Sequence, residues 1–260
     1  MNCKNPQYLF TLHAGRFKHL DPFKPSVPKE SKRFEPTPCS KRFFSTGSKD
    51  LDQVLGGGFP KGSTVLVELG MDVERDIYFQ LYIPIILNFL TQNKHVDIIA
   101  TMGTSEERIV SALSKYLDVK ELENLNISSE GWREDLLDSS KVKLIRAFDK
   151  KHEREIEIEN ESFIFFRAVS TLRDIYGEHL LRIIRVGILD TQERKVLTVL
   201  TMREDDEEKS NLASMVDFHV KLEKRNGVPL IYFLKPTTQF YAMEVDYTPG
   251  YPKLELIPIE

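Results

Sequence analysis

Hydrophobic and polar positions alternate in two periods along this chain. Thr64 to Leu69 (TVLVEL) is a short apolar run between Gly62 and Gly70, the pattern of a buried parallel strand. Asp76 to Gln92 is apolar almost all round, which predicts a buried helix with an irregularity at Pro84. Val96 to Met102 reads as the next strand, and Thr104 to Glu107 has the T-x-x-E spacing that caps a helix reaching about Leu117. Val142 to Ala147, Ser162 to Phe166 and Val196 to Thr201 read as further strands. Between the last two, Arg173 to Gln192 has an amphipathic helical period through Ile175, Tyr176, Leu180, Ile184 and Ile188. From Val216 the chain reads as strands separated by turns such as Arg225-Asn226-Gly227. Such alternation predicts an α/β fold: a mostly parallel twisted sheet, helices on both faces, and antiparallel C-terminal strands.

Residues 1–40 break the pattern. Pro22, Pro25, Pro28, Pro36 and Pro38 with scattered charge predict an extended, basic, Pro-rich arm ahead of a domain at 41–260. Phe17, Phe23 and Phe34 are candidates to pin it down. Residues 1–45 carry nine Lys and Arg against three Asp and Glu, a net +6 on a chain whose total is −4. Lys18, Lys24, Lys32, Arg33, Lys41 and Arg42 are therefore candidates for binding a polyanion, with a solvated tail as the plainer alternative.

The two cysteines, Cys3 and Cys39, make no metal or disulfide framework, and a reducing cytoplasm is the expected compartment. The start MNCKNPQYLF lacks an apolar leader, and Ile77 to Leu90 is too short to span a bilayer, so no membrane role is expected. The six histidines lack metal spacing, the acidic run Asp205 to Glu208 reads as a solvated loop, and Trp132 as a packing residue.

Residues 45–62 read STGSKDLDQVLGGGFPKG. Ser45, Thr46, Gly47, Leu51, Asp52, Leu55, Gly56, Gly57, Gly58 and Gly62, followed by the TVLVEL strand, resemble the segment that leads into the phosphate-binding loop of KaiC-like and RadA-like RecA-fold ATPases. Leu212 to Leu222, with Asp217, resembles a late strand of that family. Leu230 to Lys235 resembles the strand before its inter-subunit K-x-R element, making Lys235 a possible inter-subunit residue. The resemblance covers about 42–258, with 119–160 unplaced.

The same register exposes departures. A working loop is G-x-x-x-x-G-K-[ST], where glycines let backbone amides wrap phosphates, lysine adds charge and the hydroxyl holds Mg²⁺. Here Gly70 is followed by Asp72 and Glu74 at glycine positions, Arg75 at the lysine and Asp76 at the hydroxyl. One carboxylate about 4 Å from a phosphate charge costs roughly 4 kcal/mol at an effective dielectric near 20. Two would lower affinity on the order of a thousandfold. Arg167 stands where the family's Mg²⁺-orienting aspartate ends a strand, and Met102 or Gly103 where its catalytic glutamate follows one. Thr237 replaces the arginine of K-x-R.

The resemblance thus implies a pseudo-ATPase without cofactor or metal, acting through a protein partner or an oligomer. In this it is similar to the accessory subunits of Elongator and to KaiC-like regulators of the GvpD kind. The alternatives are an ATP- and Mg²⁺-binding protein with a non-standard loop, and a nucleic-acid-binding module using the arm. Asp72, Glu74 and Arg167 are expected to pair and close the vacated site, and substituting Arg75 or Arg167 is expected to leave function largely unchanged.

Overall fold

The computed structural model describes residues 9–100, 104–128 and 163–259, other than 14, 25 and 27. The sequence-based strand at 142–147, the positions Met102 and Gly103, and Cys3, Trp132, His152 and Ser162 lie outside the described residues.

A nine-stranded sheet forms the body. Its centre is β5 (Thr64–Leu69), all six residues of which are buried, as an uninterrupted apolar run requires. On one side β5 pairs in parallel with β9 (Leu197–Arg203), then β8 (Phe163–Ala168), β6 (His95–Ile99) and β7 (Leu125–Ser128). On the other it pairs in parallel with β10 (Phe218–Arg225). Beyond β10 the sheet turns antiparallel through β11 (Val228–Lys235), β12 (Tyr241–Asp246) and β13 (Lys253–Pro258). Asn226 and Gly227, both with positive φ, make the β10–β11 turn that the sequence announces.

Helices cover both faces. One core, built on Val65, Val67 and Leu69, packs under α2 (Arg75–Leu90) and α3 (Glu106–Leu113). The other, built on Leu66, Leu200 and Met202, packs under α5 (Val169–Tyr176), α6 (Leu180–Arg194) and α7 (Lys209–Met215). In sequence α1 (Lys49–Val54) precedes both groups and α4 (Val119–Leu122) lies between them. Helix α2 contains Pro84 and buries twelve of its sixteen residues, which explains its lack of a polar face.

Three local expectations shift. The helix expected from Arg173 to Gln192 is broken at Gly177, whose φ of 52° ends α5 before α6 begins. Helix α3 is capped by Ser105, which accepts from the Arg108 amide, one residue later than the T-x-x-E pattern places it. The N-terminal stretch is folded onto the body rather than extended from it. Its strands β1 (Leu9–His13) and β2 (Arg16–Leu20) form an antiparallel hairpin, with Leu20 buried among Val228, Leu230 and Ile257. Thr11 donates to the Pro258 carbonyl.

Farther along, Phe34 is buried, and the side chains of Asn88 and Gln92 on and just beyond α2 bond the backbone at Thr37 and Cys39. Phe34 and half-buried Phe23 pin this segment as expected; Phe17 is 86% exposed and does not.

Candidate functional site

The glycine-rich lead-in segment is a structural joint. Strands β3 (Phe43–Phe44) and β4 (Phe59–Pro60) close it as a short antiparallel pair. Between them the Asp52 carboxylate accepts from the Thr46 amide at 2.7 Å, the Thr46 hydroxyl at 2.7 Å and the Ser45 hydroxyl. Ser48 caps α1 and donates to the Leu254 carbonyl at 2.8 Å, and Asp50 accepts from the Leu256 amide at 3.0 Å, so the joint is tied to β13. Gly56, Gly57, Gly58 and Gly62 all have positive φ. At Gly58 (φ +108°) a Cβ would lie 2.2 Å from the Phe44 carbonyl oxygen, so only glycine fits. At Gly47 (φ +76°) it would lie 2.6 Å from the Pro84 carbonyl oxygen, so glycine lets the joint press against α2.

The loop from Gly70 to Glu74 joins β5 to α2, at the C-terminal ends of the parallel strands where α/β sheets bind ligands. Several of its backbone groups are bonded by the chain itself. The Gly70 amide donates to the Leu222 carbonyl, and the Val73 amide donates back to Gly70 across a turn. The Met71 amide donates at 3.0 Å to the carboxylate of Glu204, which follows β9. Arg203 donates from one guanidinium nitrogen to the Gly70 and Val73 carbonyls at 3.0 and 2.9 Å. The loop therefore turns carbonyls toward a fixed cation and offers an amide to a fixed anion. That is opposite to a phosphate cradle, in which converging amides await an anionic ligand.

The remaining charges follow suit. Glu74 pairs with Lys224, whose hydrogen bond holds its carboxyl below the ordinary range. Asp76 pairs with Arg108 at 3.1 Å. A cleft of about 510 Å³ lies alongside, lined by Glu74, Arg75, Asp76, Arg108, Arg203 and Asp206 among others. Its volume suits a ligand, but guanidinium and carboxylate groups balance across it, and Asp206 is itself paired with Arg173. These residues do not fit ATP with Mg²⁺: residues 70–76 contain no lysine or hydroxyl, and Asp72, Glu74 and Asp76 stand among them. Among the described residues no cluster of His, Cys, Asp or Glu could hold a metal.

Arg167 does not join Asp72 and Glu74. It bonds the Asp97 carboxylate on neighbouring β6 at 2.6 Å and the Asp97 carbonyl at 3.1 Å, and stacks over Phe165 at 4.6 Å. The reason is strand register: Arg167 lies opposite Ile99, which brings its side chain to the same sheet face as Asp97. The expected pairing of Arg167 with Asp72 and Glu74 is thus corrected: its partner is Asp97, on the sheet and largely buried.

A second network escaped the sequence reading. Glu68 on β5 is buried against His219 at 2.9 Å, Lys221 at 3.2 Å and Lys209 at 3.6 Å, and Lys221 also reaches Glu204 at 3.0 Å. Burial alone would raise the Glu68 pKa, but the His219 and Lys221 hydrogen bonds and the lysine charges outweigh it and hold the group below its ordinary value. The Met71 amide and then Lys221 do the same for Glu204. A carboxylate inside an otherwise apolar strand was the available signal.

The other candidates separate. Lys235 donates to the Val216 carbonyl of its own chain. Of the six basic residues, Lys18 is paired with Glu244 at 3.1 Å and Arg33 with Glu121 and Asp118. Arg42 lies over the Phe43 ring, while Lys24, Lys32 and Lys41 are exposed. No helix of the described residues is long and apolar enough to cross a membrane.

This strand order and two-faced helical cover make a fold like that of a KaiC-like protein. The chain superposes on the KaiC-like protein PH0186 of Pyrococcus horikoshii OT3 with a TM-score of 0.59 at 14% identity, over 84% of this chain and all of that one. A family model described as GvpD basic region 2 matches residues 33–122. Protein GvpD2 of Halobacterium salinarum is 40% identical over 112 residues, 42% of this chain and 23% of that protein. Protein GvpD1 of the same organism is 38% identical over 93 residues, 35% of this chain and 17% of that protein. The chain thus aligns with less than a quarter of either curated relative.

Proposed function

We propose that this chain is a non-catalytic RecA- and KaiC-like protein that serves as an assembly or regulatory subunit through protein–protein contacts. One observation carries the reading. The loop at the phosphate position is occupied by the chain's own ions, with the Glu204 carboxylate on the Met71 amide and Arg203 on the Gly70 and Val73 carbonyls. A phosphate arriving there would meet the carboxylates of Glu204, Glu74 and Asp76, and like charges at such range repel by several kcal/mol.

The similarity to GvpD proteins supports a regulatory role. Charge favours a protein partner over a polyanion: residues 33–122 match a model described as a basic region, yet here they carry ten Lys and Arg against twelve Asp and Glu. Two of the six basic candidates are also already committed to carboxylates. Calorimetric titration of the chain with ATP and Mg²⁺ tests the proposal. No binding at submillimolar nucleotide is expected. Submillimolar affinity would overturn it in favour of an ATP-binding protein with a non-standard loop.

A further inference from the structure

The open cleft beside the loop holds a charge arrangement that its own ion pairs leave incomplete. Among the described residues three carboxylates line it, and each has a cation: Glu74 has Lys224, Asp76 has Arg108 and Asp206 has Arg173. Arg203 lines the same cleft and differs. One guanidinium nitrogen, Nη1, is held by the Gly70 and Val73 carbonyls at 3.0 and 2.9 Å, and no carboxylate among the described residues pairs with it. The two carbonyls fix the guanidinium on one side and leave its Nε and Nη2 donors unengaged on an exposed residue.

Two more groups stand ready in the wall. Ser170, in the first turn of α5, is exposed, and its hydroxyl has no hydrogen-bond partner among the described residues. Asp76, in the first turn of α2, gives Oδ1 to Arg108 and is 48% exposed, which leaves Oδ2 to solvent. A cleft of about 510 Å³ thus presents a guanidinium without an anion, a hydroxyl, and a carboxylate oxygen without a donor. A guanidinium fork matches a carboxylate, which can accept two parallel N–H···O bonds. The spare carboxylate oxygen matches an ammonium. A dianionic phosphate is repelled by the carboxylates nearby, whereas a molecule with one charge of each sign keeps the balance across the cleft.

We propose that this cleft binds a small zwitterion, a free amino acid, with its carboxylate on Arg203 and Ser170 and its ammonium on Asp76. The site rests on the reading of the loop as closed to nucleotides, and the two fail separately. Binding of ATP would refute that reading whatever the amino acids do, and a failure of the amino acids to bind refutes this site alone.

The full chain, isotope-labelled at nitrogen, would be titrated with glycine, β-alanine and γ-aminobutyrate, which carry the two charges at increasing separation. Acetate, propionate and butyrate serve as the counterparts without the amine, and NMR follows the Arg203 Nε–H and the Met71 amide. Saturable shifts are expected with at least one of the three zwitterions, which should bind about twofold to fivefold tighter than its counterpart, the range of a half-exposed ion pair. Asp76→Asn is expected to bring that zwitterion down to the affinity of its counterpart while leaving the counterpart no weaker. Arg203→Gln is expected to weaken both by about tenfold, the loss of one charge-assisted hydrogen bond. Should Arg203→Gln fail to fold because the loop is released, the Asp76→Asn comparison carries the test alone. The proposal is overturned by an absence of saturable shifts with all three zwitterions, by shifts centred away from Arg203, by equal affinities with and without the amine, or by a zwitterion that Asp76→Asn leaves unchanged.

Discussion

The Asp97–Arg167 pair offers a quantitative test of the place found for Arg167. Its side chains are 5% and 12% exposed, and the carboxylate also accepts from the Asn126 amide at 2.7 Å. Replacing Asp97 by alanine leaves a buried guanidinium with only the Asp97 and Phe166 carbonyls. Replacing Arg167 by methionine leaves a buried carboxylate with Asn126 and removes the stack on Phe165. Breaking a buried pair from one side costs about 3–5 kcal/mol, because the surviving ion keeps its desolvation penalty. At ~2–4 °C per kcal/mol for a chain of this length, each single variant should lose roughly 10 °C in Tm.

Replacing both, Asp97→Val with Arg167→Met, removes both penalties and should lie much closer to the unmodified protein than either single change. Urea unfolding followed by circular dichroism gives the three free energies, and the double-mutant cycle gives the coupling. Strict additivity, with the double variant worst of all, would refute the claim that the two ions exist for each other. So would a loss under about 1 kcal/mol in both single variants.

The other predictions concern the joint and the acid side of the stability curve. Gly58→Ala should destabilise by about 2 kcal/mol or more, since strain at positive φ adds to the collision with Phe44. Gly56→Ala, with positive φ but open space, should cost less in the same urea series, and the reverse order would contradict the packing described. Glu68 and Glu204 have carboxyls held below their ordinary value of 4.5, so the unfolded chain binds protons first and folding stability rises with pH there. Stability should be full above about pH 5 and fall as pH drops from 4.5 through the lowered native values. Glu204→Gln should flatten part of that fall, and an unchanged pH profile would mean that the Lys221 and Met71 contacts do not hold Glu204 ionised.

What the sequence shows clearly is what a single period encodes. The apolar run 64–69, the all-round apolar helix α2 and the Asn226-Gly227 turn need no partner to be recognised. The N-terminal hairpin was hidden because both its faces carry apolar residues. Leu9 and Leu20 face the body while Phe10, Leu12 and Phe17 face out, so no polar alternation marks the strands. The break at Gly177 was hidden for a related reason: apolar spacing continues from Ile175 and Tyr176 to Leu180 across a residue whose positive φ no period reveals. The Glu68 network was beyond reach because its histidine lies 151 positions away, and strand order alone brings the two together.

The lead-in segment and the loop also explain each other. Several features of residues 45–62 that resemble a nucleotide-binding protein have work here that needs no nucleotide. Asp52 gathers Ser45 and Thr46, Ser48 and Asp50 hold β13, and Gly47 and Gly58 allow contacts that a side chain would forbid. The departures begin in the loop, where glycine, lysine and a hydroxyl would serve a phosphate. Once that ligand is absent, exposed amides beside a cleft are a cost, since unpaired donors lose their solvent when anything packs against them. Glu204 and Arg203 remove that cost by supplying an anion to the Met71 amide and a cation to the Gly70 and Val73 carbonyls. Those bonds hold the loop in place without a ligand, which on the proposed function suits a surface that presents one shape to a protein partner.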